Sequence, residues 1–348
     1  MNFSIRMAIA ATTLIAPLPT HAAEFTQFSD QPLPFAERFS GTCTHRMDGP
    51  IDAGDADAFQ AMIDALPDQF NDDMNFMICL NSEGGRIEEG LKIGRIIQDN
   101  FFGTYVDDGD TCLSACAIAF MHGTIGAWEY ILTLRMMHPN ATLGFHAPSL
   151  DVGGDPGAMV PFLLVQAAYQ ATLQTMSDIV ESASQQVSEF SSPVVPMSLL
   201  TEMLEVGPDD FTYVDTLHKA FMWDITIFPK SLKAPPGFEL DVGIYQLCEN
   251  SSYKINPNSF SAEPPRSIDR SDVEDGNIGY PWDVDLPTGY KLVSPNNIFN
   301  RQCGYAYFSE HDFFKLRRYV DGELEREVWM PPVYLFAPAT RIRDITSE

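Results

Sequence analysis

Phe76-Met77-Ile78-Cys79-Leu80 is an unbroken apolar run that turns at once through Asn81-Ser82-Glu83-Gly84-Gly85. A strand with one wet face alternates apolar and polar residues, so an unbroken run marks a strand covered on both faces. Helical spacing follows at Ile87, Leu91, Gly94 and Ile97, with Gly90 and Gly94 small enough for close packing. A doubly covered strand leading into a helix points to an α/β fold in which helices flank a parallel sheet with right-handed crossovers.

The alternation extends from Phe35 to about Trp223. Asp57 is placed to cap a helix whose apolar face is Phe59, Met62, Ile63 and Leu66. Thr104-Tyr105-Val106 and Thr142 to His146 read as strands, and Ser114 to Met121 as a compact helix of small and apolar residues. Gly153 to Gly157 is loop-like, Val160 to about Glu189 has the composition of one or two long helices, and Met197 to Val206 is a helix stopped by Gly207-Pro208. The composition changes near Lys233, and Ala234-Pro235-Pro236-Gly237 is a credible boundary. Residues 23–233 are therefore expected to form the α/β domain. Residues 237–348, short aromatic segments broken by Pro, Asn and Gly around an acidic Ser261–Pro287 loop, read as a small β-rich domain. No internal repeat, heptad run or low-complexity tract interrupts them.

Residues 1–22 read as a leader rather than as part of the fold. Asn2 to Arg6 carries one positive charge, Met7 to Leu18 is mostly apolar, and Thr20-His21-Ala22 is a small-x-small cleavage site before Ala23. The apolar stretch is short of the roughly 18 residues that span a bilayer, although an uncleaved anchor is the competing reading. The mature chain is expected to be periplasmic or secreted. With 21 basic and 48 acidic side chains the net charge is −27, which repels nucleic-acid backbones and anionic lipid surfaces. Export gives the six cysteines an oxidising setting and makes disulfides the expectation. Cys248 and Cys303, alone in the C-terminal third, are the favoured pair. No CxxC or HExxH pattern supports a metal site, and the acidic run Asp269, Asp272, Glu274 and Asp275 lacks the spacing of a calcium loop.

Three short segments together carry a chemistry. The Ser82-Glu83-Gly84-Gly85 turn can present backbone N–H groups outward, since glycine removes the Cβ that blocks close approach. Ser114, in Cys112-Leu113-Ser114-Ala115-Cys116, stands at a helix start, where it is either an N-cap or a nucleophile. His146, in Leu143-Gly144-Phe145-His146-Ala147-Pro148, stands at a strand end, where α/β sites form. Acyl transfer needs a nucleophile, a base and donors for the developing oxyanion. Each segment also has an ordinary reading as a turn, a cap or a satisfied histidine.

At these residues the sequence resembles the Clp-type serine peptidases of the ClpP/crotonase superfamily. There, an N-S-P-G-G turn, a nucleophile in S-M-G-A context and a histidine in I-H-Q-P context follow in the same order. The matching segments here are Asn81–Gly85, Ser114–Ala117 and Pro139–Pro148, with Gly153-Gly154 after the histidine, over roughly residues 38–225. The resemblance implies Ser114 as nucleophile, His146 as general base, and Gly85 (with Gly84 as alternative) and Ala115 as oxyanion donors. It also implies an aspartate after the helix that follows the histidine, which leads to Asp210, then Asp209. It implies peptide or protein substrates, no cofactor, no ATP-driven partner in an exported setting, and a homo-oligomer formed through the helix after the histidine.

There are departures: Glu83 stands for the proline of the turn, Cys116 for the glycine two after the serine, and the stretch between Gly123 and Pro139 is longer. Cys112 and Cys116 are close enough in sequence to clamp the Ser114 turn as a disulfide, or else are buried small hydrophobes. A lysine base, as in signal-peptide peptidases, would fall on Lys92, whose helical position offers no reach to Ser114. Coenzyme A thioester chemistry suits no exported protein. The alternative to a hydrolase is a catalytically silent scaffold or binding protein of the cell envelope.

Overall fold

Alternate residues of the 76–80 run face opposite ways, and both sides are covered. Phe76, Ile78 and Leu80 join a large buried cluster with Phe59, Ile63, Leu91 and Ile97, while Met77 and Cys79 join a second one with Tyr105, Leu134 and Met136. A computed structural model describes residues 22–33, 41–66, 76–127, 130–148, 161–185, 193–208, 210–228, 232–255, 291–293, 301–308, 313–320 and 323–346. The leader 1–21, the Gly153–Gly157 loop, Asp209 and the acidic Ser261–Pro287 stretch lie outside the described residues.

In chain order β1 (Glu24–Gln27) and β2 (His45–Asp48) precede α1 (Asp55–Asp64), β3 (Phe76–Asn81), α2 (Ile87–Asp99) and β4 (Phe102–Val106). Then come β5 (Thr111–Leu113), α3 (Ala115–Phe120), a hairpin of β6 (Thr124–Ala127) and β7 (Tyr130–Thr133), β8 (Arg135–Met137) and β9 (Thr142–Phe145). Next are α4 (Phe162–Ser184), α5 (Met197–Val206), β10 (Thr212–Tyr213), α6 (Leu217–Met222), β11 (Thr226–Ile227) and α7 (Leu240–Ile255). The strands β12 (Lys291–Val293), β13 (Arg301–Phe308), β14 (Phe313–Val320) and β15 (Glu323–Met330) close the series.

Among the described residues, a six-stranded sheet has the order β1-β2-β3-β4-β8-β11, parallel from β2 to β11. A three-stranded sheet, β10-β9-β5, holds β9 and β5 parallel. The two sheets meet just past β3, where the Ser82 N–H donates to Thr111 O at 2.6 Å and the Leu113 N–H to Ser82 O at 3.0 Å. The architecture is mixed α/β rather than purely parallel, because β1 and β10 run antiparallel to their neighbours. Both are edge strands, the position where an antiparallel strand is commonly found beside an otherwise parallel sheet.

α1 begins at Gly54, whose φ of 96° is left-handed, and Asp57 sits in the first turn instead of capping it. An acidic residue is favourable there in either position. β12 to β15 form a four-stranded antiparallel sheet, as the β-rich reading expects, but α7 precedes it. Ile244, Leu247, Cys248 and Ser251 lie on one face of α7 and pack inward, and that burial outweighs the poor helix propensity of Gly243, Asn250 and Ser252. The chain after β15 returns to the first region: the Leu217 N–H donates to Thr340 O at 3.0 Å and the Ile342 N–H to Asp215 O at 3.0 Å. One buried cluster therefore runs through residues on both sides of Gly237.

Three disulfides, Cys43–Cys79, Cys112–Cys116 and Cys248–Cys303, fit an oxidising, extracytoplasmic setting. Among the described residues no helix is long and apolar enough to cross a membrane.

His45 and His122 are buried, and desolvation pushes each pKa down to about 4. An unfolded imidazole titrates near about 6.5, so the unfolded chain takes up these protons first as pH falls. The stability tied to the neutral rings is complete above about pH 6.5 and is lost between there and about pH 4, by an order of 1–3 kcal/mol per ring. Chemical denaturation should show the midpoint falling across that window, and a His45→Phe/His122→Leu chain should show a flatter profile. An equally steep profile in that variant would place the acid sensitivity elsewhere.

Candidate active site

β5 delivers Cys112 and Leu113 from the sheet, and the chain reverses at Ser114 with φ 56° and ψ −121°. A non-glycine residue there costs about 1–3 kcal/mol and persists only where its surroundings enforce it. Three features do so. The Ser114 N–H donates to Gly144 O at 3.1 Å. The Cys112–Cys116 disulfide, with Cα atoms 5.2 Å apart, spans the turn from strand to helix. Gly84 lies directly behind it: a Cβ on Gly84 would stand 2.6 Å from Leu113 O and 2.7 Å from Ser114 Cβ. The same closeness holds one turn on, where a Cβ on Gly90 of α2 would stand 2.6 Å from Ala115 O.

Ser114 occupies the position before α3, yet its hydroxyl caps nothing there. Its Oγ lies 2.7 Å from His146 Nε2, donating to it when the ring carries its proton on Nδ1. His146 follows the last residue of β9, and the parallel pairing of β5 with β9 brings the two together from 32 residues apart. β10 runs back along β9, setting Thr212 opposite Phe145 and the Phe211 ring 4.7 Å from the imidazole. The Ala147 N–H donates to Gly207 O at 3.0 Å and fixes the chain beyond the histidine.

Asp210 does not join this pair. It is exposed, and its Oδ1 accepts the Phe211 N–H at 2.8 Å, so a short side chain expected behind the imidazole is engaged by its own neighbour. His146 Nδ1 is buried and has no hydrogen-bond partner among the described residues.

The glycine turn is held from its other side by Ile51. The Ile51 N–H donates to Gly84 O at 2.8 Å and the Arg86 N–H to Ile51 O at 2.9 Å. A Cβ on Gly85, whose φ is 144°, would stand 2.1 Å from Ile51 O. The Gly84 N–H is engaged by Ser82 Oγ at 3.0 Å, which leaves Gly85 as the donor without a protein acceptor among the described residues. The Ala115 N–H opens α3, where first-turn donors have no partner within the helix. Lys92 is held by Glu89 Oε1 at 2.7 Å on α2.

The segments 82–85, 112–116 and 143–148 are thus neighbours in space, with Ser114 and His146 half-buried at their meeting point. Sequence reasoning missed the Phe211 ring and the seat that Gly84 makes for Ser114; only the aromatic alternation Phe211-x-Tyr213 hinted at the first. Among the described residues no group of three or more His, Cys, Asp or Glu side chains is placed to hold a metal ion. No family model matches the chain, and no curated protein matches it.

Proposed function

We propose that the chain is an exported serine hydrolase of the Clp-type kind, a peptidase working through an acyl-enzyme without ATP. The observation that carries this reading is the 2.7 Å contact between Ser114 Oγ and His146 Nε2 on a strained turn. Ser114 Oγ attacks the substrate carbonyl while His146 Nε2 takes its proton and returns it to the leaving amine. The N–H groups of Gly85 and Ala115 donate to the oxyanion of the tetrahedral intermediate. Water then attacks the acyl-enzyme, with the same imidazole as base. The parallel runs β2 to β11 and β5–β9, and the order of the three segments, support kinship with the ClpP/crotonase superfamily.

The test is labelling of the exported protein with a fluorophosphonate probe at pH values from about 6 to 9. An adduct on the Ser114 peptide is expected. Folded protein that takes no label across that range would favour the other reading, a silent scaffold of the cell envelope. Among the described residues His146 Nδ1 has no hydrogen-bond partner, which speaks for that reading, since an imidazole with no orienting carboxylate is a slower base.

Self-association is part of the proposal. Phe162, Leu163, Leu164, Val165, Tyr169 and Leu173 are exposed along α4, a concentration of large apolar side chains of the kind found at association surfaces. Light scattering is expected to give a multiple of the chain mass, and a monomer at micromolar concentration would overturn this part.

A further inference from the structure

The backbone N–H of Ala23 donates to Asp55 Oδ2 at 3.0 Å, and the Asp52 N–H donates to the same oxygen at 2.7 Å. Asp55 is only 3% exposed. A carboxylate held away from water needs hydrogen bonds, a cation or both to replace its lost hydration. Among the described residues no lysine, arginine or histidine lies within ion-pair distance of it; Lys92 is engaged by Glu89, and Arg46 by Asp48 and Asp110. The other ionisable groups on the elements around Ala23 are His45 of β2, Arg86 just before α2, Arg95 of α2, and several carboxylates. Glu24 and Asp48 face each other across β1 and β2, Asp52 lies in the loop before α1, and Glu89 of α2 accepts the Gly54 and Ala56 N–H groups. Asp55 is the charged group in direct contact with the Ala23 nitrogen, and a positive charge placed there would be paired by it.

The sequence singles out the same nitrogen independently, as the first after the small-x-small segment Thr20-His21-Ala22. We propose that leader removal at the Ala22–Ala23 bond converts this amide donor into an ammonium that pairs with Asp55, making Asp55 a positioning residue for the joint that holds the glycine turn. The step is hydrolysis: water gives its oxygen to the Ala22 carbonyl and the Ala23 nitrogen gains the protons. From Asp55 the connection is short. Its Oδ2 fixes Asp52, the next residue back is Ile51, and Ile51 is bonded to Gly84 O and the Arg86 N–H. A free α-amine titrates near about 7.7–8.0, and a buried carboxylate partner raises that value. The stability from the pair is complete below about pH 7.7 and is lost as pH rises through the raised value.

The full-length chain is to be exported by a host cell and its intact mass read; the expected first residue is Ala23. Inserting one glycine between Ala22 and Ala23 moves the ammonium off Asp55 and is expected to lower the thermal midpoint at pH 7 by roughly 5 °C or more. Asp55→Asn is expected to lower it similarly, and the combined variant to fall no further than Asp55→Asn alone. A mature start other than Ala23, or two effects that add in full, overturns the proposal. Should Asp55→Asn not fold, the wild-type and glycine-inserted chains decide by themselves. A gap that closes between about pH 8 and 10 supports the pair, and a gap unchanged by pH overturns it. Only the link to an oxyanion turn rests on the hydrolase reading. Absence of fluorophosphonate labelling in every chain marks failure of that reading, whereas equal midpoints mark failure of the pair.

Discussion

Ser114→Ala is expected to yield a folded chain that takes no fluorophosphonate label and hydrolyses peptide substrate roughly four to six orders of magnitude more slowly. On the proposed mechanism the loss is large because the Ser114 hydroxyl oxygen forms the acyl bond and the flanking thiols cannot replace it: Cys112 and Cys116 are tied to each other. His146→Ala should cost nearly as much, and the double variant little more than either alone, since the two side chains act as one unit. Stability should change far less. Removing one hydrogen bond costs about 1 kcal/mol, and alanine at a φ of 56° suffers the same backbone strain as serine. Label persisting on Ser114→Ala, or independent and additive losses for the two residues, would remove the shared mechanism.

The next largest effect is expected from Gly84→Ala. Its added Cβ meets Leu113 O at 2.6 Å and Ser114 Cβ at 2.7 Å, both below any real contact distance, and the neighbour on each side is backbone or the nucleophile's own stem. The Ser114 turn has to move by a good fraction of an ångström. Displacements near 1 Å cost about 100-fold in rate, so labelling should slow by about that factor or more. Gly109→Ala is the matched control. Gly109 has a φ of 74°, compared with 95° at Gly84, but nothing lies within 4 Å of its Cβ position. Both variants bear the left-handed strain, of about 1–2 kcal/mol. Only Gly84→Ala should lose labelling. Equal labelling rates in the two would mean that the close seat behind Ser114 has no part in reactivity.

What was readable in the chain was local. The doubly covered strand at 76–80, the glycine turn after it, Ser114 at a helix start and His146 at a strand end all follow from a few consecutive residues, and the structure sets the last three side by side. What escaped reading depends on partners far away in sequence. The resemblance points to Asp210, then Asp209, after the helix that follows the histidine, but whether a carboxylate reaches an imidazole turns on a bend of one or two residues; here the Asp210 carboxylate accepts the Phe211 N–H and the Phe211 ring lies 4.7 Å from the imidazole. The Cys43–Cys79 pair joins Cys79 of β3 to the chain just ahead of the neighbouring strand β2, a pairing that no spacing rule encodes. α7 was hidden in a stretch rich in Asn, Ser and Gly, because burial against the returning C-terminal segment, not propensity, makes it a helix. Gly54 replaced Asp57 at the start of α1 for a like reason, as the acidic groups near that end are bound to neighbouring backbone.

Gly84 and Gly90 bring bare backbone against Ser114 and Ala115 with no intervening layer of side chains. That arrangement bears on how such a chain can diversify. A pocket wall made of side chains can be altered a methyl at a time, each step tolerable, but a wall of main chain meeting main chain offers no intermediate sizes. If Ser114 is the nucleophile, new preferences in descendants of this chain would have to be written on other walls, while the backing of Ser114 is inherited whole or lost.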